Sequence, residues 1–371
     1  MDNEGRATGN LAPGLDRPRA DGRAHRGRGG AYRQRRPGPV AERKGETYAA
    51  LDLGTNNCRL LIARPSGDSF RVIDAFSRII RLGEGVSASG RLSDAAIARA
   101  VTALSICRDK MHNRAVTRSR LIATEACRAA VNGAEFLQVI RDRVGIELEI
   151  VDRETEADLA ATGCTPLFDP EASGVILFDI GGGSSELVLL ARSEPVRRGP
   201  PKPVVRSWVS LPVGVVTLAE RHGGMRVDRG LFEVMVAEVA VHAAPFTAVH
   251  GRAMDGVHML GTSGTVTTIA GIHLDLPRYD RRRVDGCWLS EAEVTRVIDR
   301  LIDMTYEDRV ANACIGFERA DLVLAGCAIL EAIRRAFPCP RLRVADRGLR
   351  EGILVKLMRE DGVWAHAPGE A

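Results

Sequence analysis

The chain has 371 residues, 45% of them hydrophobic but only 4% aromatic, and a formal net charge of +4. That length and composition allow two domains with sizeable cores and suit an α/β enzyme better than a β-sandwich. Eight cysteines without a CxxC pair and eight histidines without HxxxH or HExxH spacing argue against a disulfide framework and a His-based zinc site; the thiols read as buried and free, in a reducing compartment.

Residues 1–46 carry 11 Lys or Arg against 6 Asp or Glu, so the rest of the chain is close to neutral. Rich in Arg, Gly and Pro and almost free of apolar periodicity, this stretch is expected to be a disordered tail. No apolar run follows Arg35 and Arg36, which fits neither a secretory nor a twin-arginine signal. A solvated extension, or a start codon placed too far upstream, is preferred over a tail that contacts nucleic acid. The longest apolar run, 322–330, is broken by Gly326 and far too short for a membrane span, so a soluble cytoplasmic protein is expected.

The folded part opens with an apolar run at 48–51, a turn reading Asp52-Leu53-Gly54-Thr55-Asn56-Asn57, and a second run at 59–63. That is a strand, a tight turn and a returning strand. A third strand at 70–73 and a link over 76–90 follow. Ser93 caps a helix whose Ile97, Val101, Leu104 and Met111 share one face. The segment 121–124 reads as a short buried strand that runs through Glu125, Ala126, Cys127 and Arg128 into a loop or helix start. Positions 132–144 are helical by pattern, Ile146, Leu148 and Ile150 alternate as in a strand, and Asp152 opens a helix to about 162. Two prolines in 165–174 mark a boundary between domain I, 47–170, and domain II, 171–360, with a short tail at 361–371.

Domain II restarts with the same device: apolar 175–178, then Asp179-Ile180-Gly181-Gly182-Gly183-Ser184-Ser185, then a return over 187–191. A strand at 207–211, a turn at Pro212-Val213-Gly214 and helices at 215–221 and 228–243 come next. The strand 257–260 ends in Gly261-Thr262-Ser263-Gly264-Thr265 and enters a helix at 266–272, whose N-terminus favours an anion. Ser290 and Glu293 form a capping box for a helix ending near Met304. The segment 319–337 is apolar nearly all round and reads as a buried helix; 342–345 and Gly348-Leu349-Arg350-Glu351-Gly352 give a last strand, turn and helix. Strands with crossover helices in each half, built on a duplicated hairpin, place a ligand between the halves.

A glycine-rich turn lets backbone N–H groups approach an anion, and Ser or Thr hydroxyls add donors for phosphate oxygens. The candidate phosphate contacts are therefore Gly54, Thr55 and Asn56 in the first turn, Gly181, Gly182, Gly183 and Ser184 in the second, and Ser263 and Gly264 in the third. An acid at the end of the preceding strand cannot face phosphate without a cation, so Asp52 and Asp179 point to Mg²⁺ or a polarised water. The plainer alternative is a pair of ordinary hairpins whose Gly, Asn and Asp only supply turn geometry. Acid, Gly and hydroxyl at matching places in both copies weigh against it.

The segments LDLGTNNCRLLIA, ATEACRAAVNG, ETEA, FDIGGGSSELVLL, LPVGVVTLAER, GTSGTVTTIAG, ERADLVLAG and GLREGIL occur here in the order seen in the exopolyphosphatase and guanosine pentaphosphate phosphatase family, within the actin, Hsp70 and sugar-kinase superfamily. The chain resembles that family over about 47–358. The resemblance implies an α/β protein of two ribonuclease H-like domains flanking a cleft, a Mg²⁺ cofactor, and hydrolysis of a terminal phosphoanhydride. It implies a general base at Glu156 and a phosphate-facing guanidinium at Arg128, with Asp179 and Glu186 near the metal and water and Asp52 facing the same cluster from the other domain. Residue by residue the plainer readings are a first-turn acid that favours the helix dipole for Glu156, a surface arginine for Arg128 and an exposed strand acid for Glu186.

The chain departs from the family pattern in three places. Thr155 stands where a second acid is common, which leaves Glu156 as the candidate base. Ala345 stands where a serine is frequent. The helical C-terminal domain of longer relatives is expected to be lacking, an expectation that puts high processivity in doubt and keeps short polyphosphate and pppGpp equally open as substrates. The expected partners are polyphosphate or a guanosine penta- or tetraphosphate, with a homodimer as an option and no membrane. The leading expectation is a Mg²⁺-dependent hydrolase; the alternatives are an ATP-dependent kinase of the same superfamily and a non-catalytic (p)ppGpp sensor.

Overall fold

The computed structural model describes residues 46–192, 196–251 and 254–365. The tail at 1–46, apart from Glu46, and positions 366–371 of the tail at 361–371 lie outside the described residues.

The first sheet is built from β1 (Tyr48–Leu53), β2 (Asn57–Ser66), β3 (Ser69–Ile79), β4 (Arg118–Ala123) and β5 (Glu149–Ile150), in the order β3-β2-β1-β4-β5. The three leading strands pair antiparallel, and β4 and β5 add on in parallel. The helices of this half are α1 (Val86–Ser89), α2 (Asp94–Asn113), α3 (Glu125–Ala129), α4 (Gly133–Val144) and α5 (Arg153–Cys164). Three departures from the sequence pattern have simple causes. Strand β3 extends past the expected 70–73 into the start of the expected link, ending at Ile79; it is an edge strand, largely exposed, and shows no apolar run that would mark its length. Only Glu149 and Ile150 of the alternating stretch pair with β4. The buried line of α2 is Ala96, Ala100, Ala103, Leu104 and Cys107, with Ile97, Val101 and Met111 half-buried beside it. Small residues there let the helix lie close to the sheet.

The second sheet comprises β6 (Gly174–Ile180), β7 (Ser185–Ala191), β8 (Val204–Leu211), β9 (Val257–Thr262), β10 (Trp288–Ser290) and β11 (Arg341–Ala345), in the order β10-β11-β9-β6-β7-β8. Leaving out the antiparallel edge strand β10, this repeats the first sheet strand for strand, with the hairpin β6–β7 in the place of β1–β2. The two halves are thus ribonuclease H-like, as expected. Its helices are α6 (Val215–His222), α7 (Arg229–His250), α8 (Gly264–His273), α9 (Arg281–Val284), α10 (Glu291–Asp303), α11 (Tyr306–Ala311), α12 (Val323–Ala336) and α13 (Leu349–Glu360). The expected helix at 319–337 begins only at Val323, because turns around Gly316, at φ 74°, occupy the chain before it. Among the described residues α7 is the one helix long and apolar enough, by length and composition, to cross a membrane; its Phe232, Met235, Val236, Val239, Ala243 and Phe246 are buried in the core that α12 also enters.

Two helices tie the sheets together. Helix α5 follows the first sheet and packs on the second through Ala157, Ala161 and Cys164. Helix α13 follows the second sheet and returns to the first, where Ile353, Leu354 and Met358 cover Tyr48, Ala50 and Leu61. The two cross at glycines: a Cβ on Gly352 would stand 1.9 Å from the Leu159 carbonyl oxygen, and one on Gly163 would stand 2.0 Å from that of Gly348. Asp52 and Asp179 end their strands on the faces these helices cover, so the crossing sets the floor of the cleft.

Candidate active site

The two hairpin turns meet. A Cβ on Gly182 would lie 2.9 Å from the Thr55 Cβ, and one on Gly183 would lie 2.9 Å from the Thr55 Oγ1, so only glycines let the second turn approach the first this closely. Each turn is closed by its own backbone bond, from Gly54 N–H to Asn57 O (2.8 Å) and from Gly181 N–H to Ser184 O (2.9 Å). The N–H groups of Thr55, Asn56, Gly182 and Gly183 have no partner among the described residues, and these four residues line the cleft between the halves. Free donors around a closed turn are what an anion needs. The third turn contributes Ser263 and Gly264 to the same wall. Ser263 holds an unusual φ of 130°, where a non-glycine residue is strained, and its buried Oγ has no hydrogen-bond partner.

The cleft has a volume of about 130 Å³. On its side formed by the first half lie α3 and the start of α5. Asp152 caps α5 by accepting from the Thr155 N–H (2.7 Å), which fixes the first turn and aims Glu156 inward. The Glu156 side chain is 12% exposed, and its Oε2 lies 3.2 Å from the Arg128 Nη2. Arg128, on α3, also donates from Nε to Glu125 Oε2 (2.9 Å) and from Nη1 to the Val151 carbonyl. Glu125 in turn accepts from Arg153 at 2.9 Å. Arg128 is therefore held between two carboxylates, one of which, Glu125, has no candidate role in the sequence motifs; the only sequence sign of it is its i,i+3 spacing from Arg128.

Asp52 and Asp179 hold equivalent positions in their hairpins. Across the ladder Asp52 faces Arg59, whereas Asp179 faces Glu186. Glu186 is only 3% exposed, and its Oε1 accepts from Ser184 (2.7 Å) and Ser210 (2.9 Å). Burial raises the pKa of all four acids. Asp179 is pushed up to about 6, with Asp52 adding to the rise and Arg59 opposing it. Glu186 rises through burial and then the charge of Asp179, and Glu156 rises well above the usual carboxylate range through burial and then the charge of Glu186. Asp52 rises through burial, with Arg59 and Arg350 opposing it. The structure thus brings Glu156, Asp52, Asp179 and Glu186 to the cleft together with all three turns, whereas Arg128 touches Glu156 without lining the cleft itself.

Among the described residues no three of His, Cys, Asp or Glu stand close enough to hold a metal ion unaided. The donor set nevertheless suits a hard cation. Burial keeps Asp179 and Glu186 raised despite the arginines that oppose it, and the buried Oδ1 atoms of Asn56 and Asn57, which line the same cleft, have no partner. Mg²⁺ commonly takes one or two carboxylates and completes its shell with waters and phosphate oxygens.

Residues 61–361 match the model of the Ppx/GppA phosphatase family. Exopolyphosphatase 2 of Mycobacterium tuberculosis is 30% identical over 325 residues, covering 83% of this chain and 98% of its own. The guanosine-5'-triphosphate,3'-diphosphate pyrophosphatase of Aeromonas hydrophila is 27% identical over 312 residues, covering 84% of this chain but 59% of its own. Among solved structures, the Aquifex aeolicus member of the Ppx/GppA family superposes with a TM-score of 0.70 at 27% identity, covering 87% of this chain and 99% of its own.

Proposed function

The chain belongs to the Ppx/GppA phosphatase family, and from that membership and the geometry of the cleft we propose that it is a hydrolase releasing orthophosphate from the end of inorganic polyphosphate or from the 5′ end of pppGpp, with Glu156 as general base and Mg²⁺ as cofactor. The observation that carries the reading is the buried Glu156 beside Arg128, opening onto two facing phosphate turns.

In this reading the N–H groups of Thr55, Asn56, Gly182 and Gly183 hold the terminal phosphoryl oxygens, so the scissile anhydride is fixed before reaction. Glu156 accepts the proton of the water that attacks phosphorus. A carboxyl whose pKa lies above its usual range is a better base near neutral pH than an ordinary one. Arg128, whose nitrogens donate to Glu125, Glu156 and the Val151 carbonyl in this structure, would exchange its Glu156 contact for the equatorial oxygens, where charge accumulates as the anhydride breaks. One or two of Asp52, Asp179 and Glu186, with waters and phosphate oxygens completing the shell, would hold Mg²⁺, which would supply neutralisation of charge on the phosphate oxygens. Ser184 and Ser210 both bond to Oε1 of Glu186, which leaves its Oε2 to face the cleft.

The test is Mg²⁺-dependent orthophosphate release from long polyphosphate, short polyphosphate, pppGpp and ATP. Glu156→Gln keeps the shape but not the base, and kcat should fall by about 100-fold or more on the preferred substrate. Release that is unchanged in Glu156→Gln removes the residue from this role, and pppGpp binding without any turnover would make the protein a sensor.

A further inference from the structure

We propose that a groove at the rim of the seam between the two halves binds an aliphatic polyamine, with its ammonium groups on carboxylates and its methylenes on an apolar wall. The site is separate from the phosphate turns and does not depend on the hydrolase reading.

Two cavities, of about 300 and 470 Å³, adjoin at the Arg81–Asp321 ion pair (2.9 Å) and share Glu84 and Tyr306 as well. Arg81 and Glu84 belong to the first half, Tyr306 and Asp321 to the second. The smaller cavity is walled by Val216, Ala219 and Leu322, together with Met225, which is 56% exposed. The larger is walled by Ile79, Ile80 and Phe317, which is 70% exposed. Large apolar side chains left in water on both sides of one ion pair mark a place where something binds. The wall is also held open. Buried Arg309 donates to the carbonyls of Gly224 (3.3 Å) and Met225 (2.6 Å), which fixes the segment that carries Met225.

Carboxylates outnumber guanidiniums here. Arg81 matches Asp321, and Arg99 matches Glu84 (2.9 Å). That leaves Glu220 in the smaller cavity and Glu318 in the larger, neither of which has an ion pair among the described residues. Glu220 accepts only from the Gly85 N–H and the Ser87 hydroxyl, and of Glu318 only the backbone carbonyl is used, by Arg81. A third acceptor stands nearby. Asn56, 7% exposed, lies on the wall that the smaller cavity shares with the cleft, and its Oδ1 has no partner. Unmatched acids in both cavities select a cation that carries more than one charge. A hydrated metal ion gains nothing from Ile80, Val216 or Leu322, and Mg²⁺ sheds its water reluctantly. An ammonium at each end of a methylene chain meets both demands: each offers three donors to the acids, and the hydrocarbon between them covers the apolar wall.

The test is titration calorimetry of the full chain with ethylenediamine, putrescine, cadaverine and spermidine, at fixed ionic strength and with no phosphate present, so that no readout depends on turnover or on a polyanion. One saturable site is expected, tightening along the three diamines by up to about fourfold per added methylene, the value of a fully buried one. Glu318→Gln and Phe317→Ala are the variants, because both residues are exposed and the changes spare the core. Glu318→Gln should weaken putrescine about threefold to fivefold, as expected for a partly exposed ion pair. Phe317→Ala should flatten the dependence on methylene number while keeping the dependence on charge. Equal affinity for the three diamines, or binding that neither variant changes, overturns the proposal, since it would mean that the amines only screen the surface.

Discussion

Arg128 is positioned before any phosphate arrives. Glu125 and Glu156 hold it from two sides, and Arg153 holds Glu125. Glu125→Gln should leave the guanidinium less well oriented. Steady-state kinetics should show a rise in KM together with a fall in kcat, each of several fold, and an effect on neither would make Glu125 a bystander. Asp179 carries the clearest signature of pH. Its carboxyl rises from an ordinary 3.8 to about 6, so ionising it in the folded chain costs about 3 kcal/mol at one pKa unit per 1.36 kcal/mol. A raised folded pKa contributes stability that is present below about 4 and is lost as the pH passes 6. In chelator, Asp179→Asn should therefore gain stability relative to the unmutated chain between pH 4 and pH 7, by up to that amount. A stability difference that is flat with pH would show that Asp179 is compensated in some other way.

The crossing of α5 and α13 is the element on which the cleft depends, and glycine is its condition. Gly352→Ala would place a methyl 1.9 Å from the Leu159 carbonyl oxygen, so backbone must move. Overpacking of this kind costs about 1–3 kcal/mol, and thermal melting should show a drop of several degrees; an unchanged midpoint would mean that the helices slide freely. The sequence shows both helices, α5 through Asp152, which accepts the Thr155 N–H, and α13 through the turn at Gly348 that opens it. It does not show that they touch, because Gly163 and Gly352 have meaning only against each other. The same limit explains β3, whose exposed edge leaves no apolar alternation, and Glu125, which matters through Arg128 and Arg153 rather than through a motif. The turns were legible because each repeats the other.

At the scale of the whole molecule the cleft is latched at its mouth. Arg81, at φ 46°, reaches from the first half to Asp321 in the second through two bonds of 2.9 and 3.0 Å. Glu220 on α6 reaches the other way and accepts from the Gly85 N–H (2.8 Å) and the Ser87 hydroxyl. Both arms start at the phosphate turns: the N–H groups of Ile80 and Arg81 bond to the Asn56 carbonyl, and the Val215 and Val216 N–H groups bond to Gly181 and Gly182. Occupancy of the turns and closure of the latch should be coupled for that reason. Small-angle scattering of ligand-free Asp321→Ala should give a larger radius of gyration than the unmutated protein, restored by polyphosphate. Equal radii would mean that the helix crossing alone holds the halves.

The return of α13 to the first sheet also sets an order of events at the ribosome. Tyr48, Ala50, Leu61, Ala63 and Ile122 are covered by residues more than 200 positions further along the chain. At a synthesis rate of about 5–20 residues per second, that face stays open for roughly 10–40 s after the rest of its sheet has emerged. The half made first is finished last, and through that interval it presents a sticky surface that a chaperone or a neighbouring nascent chain can reach.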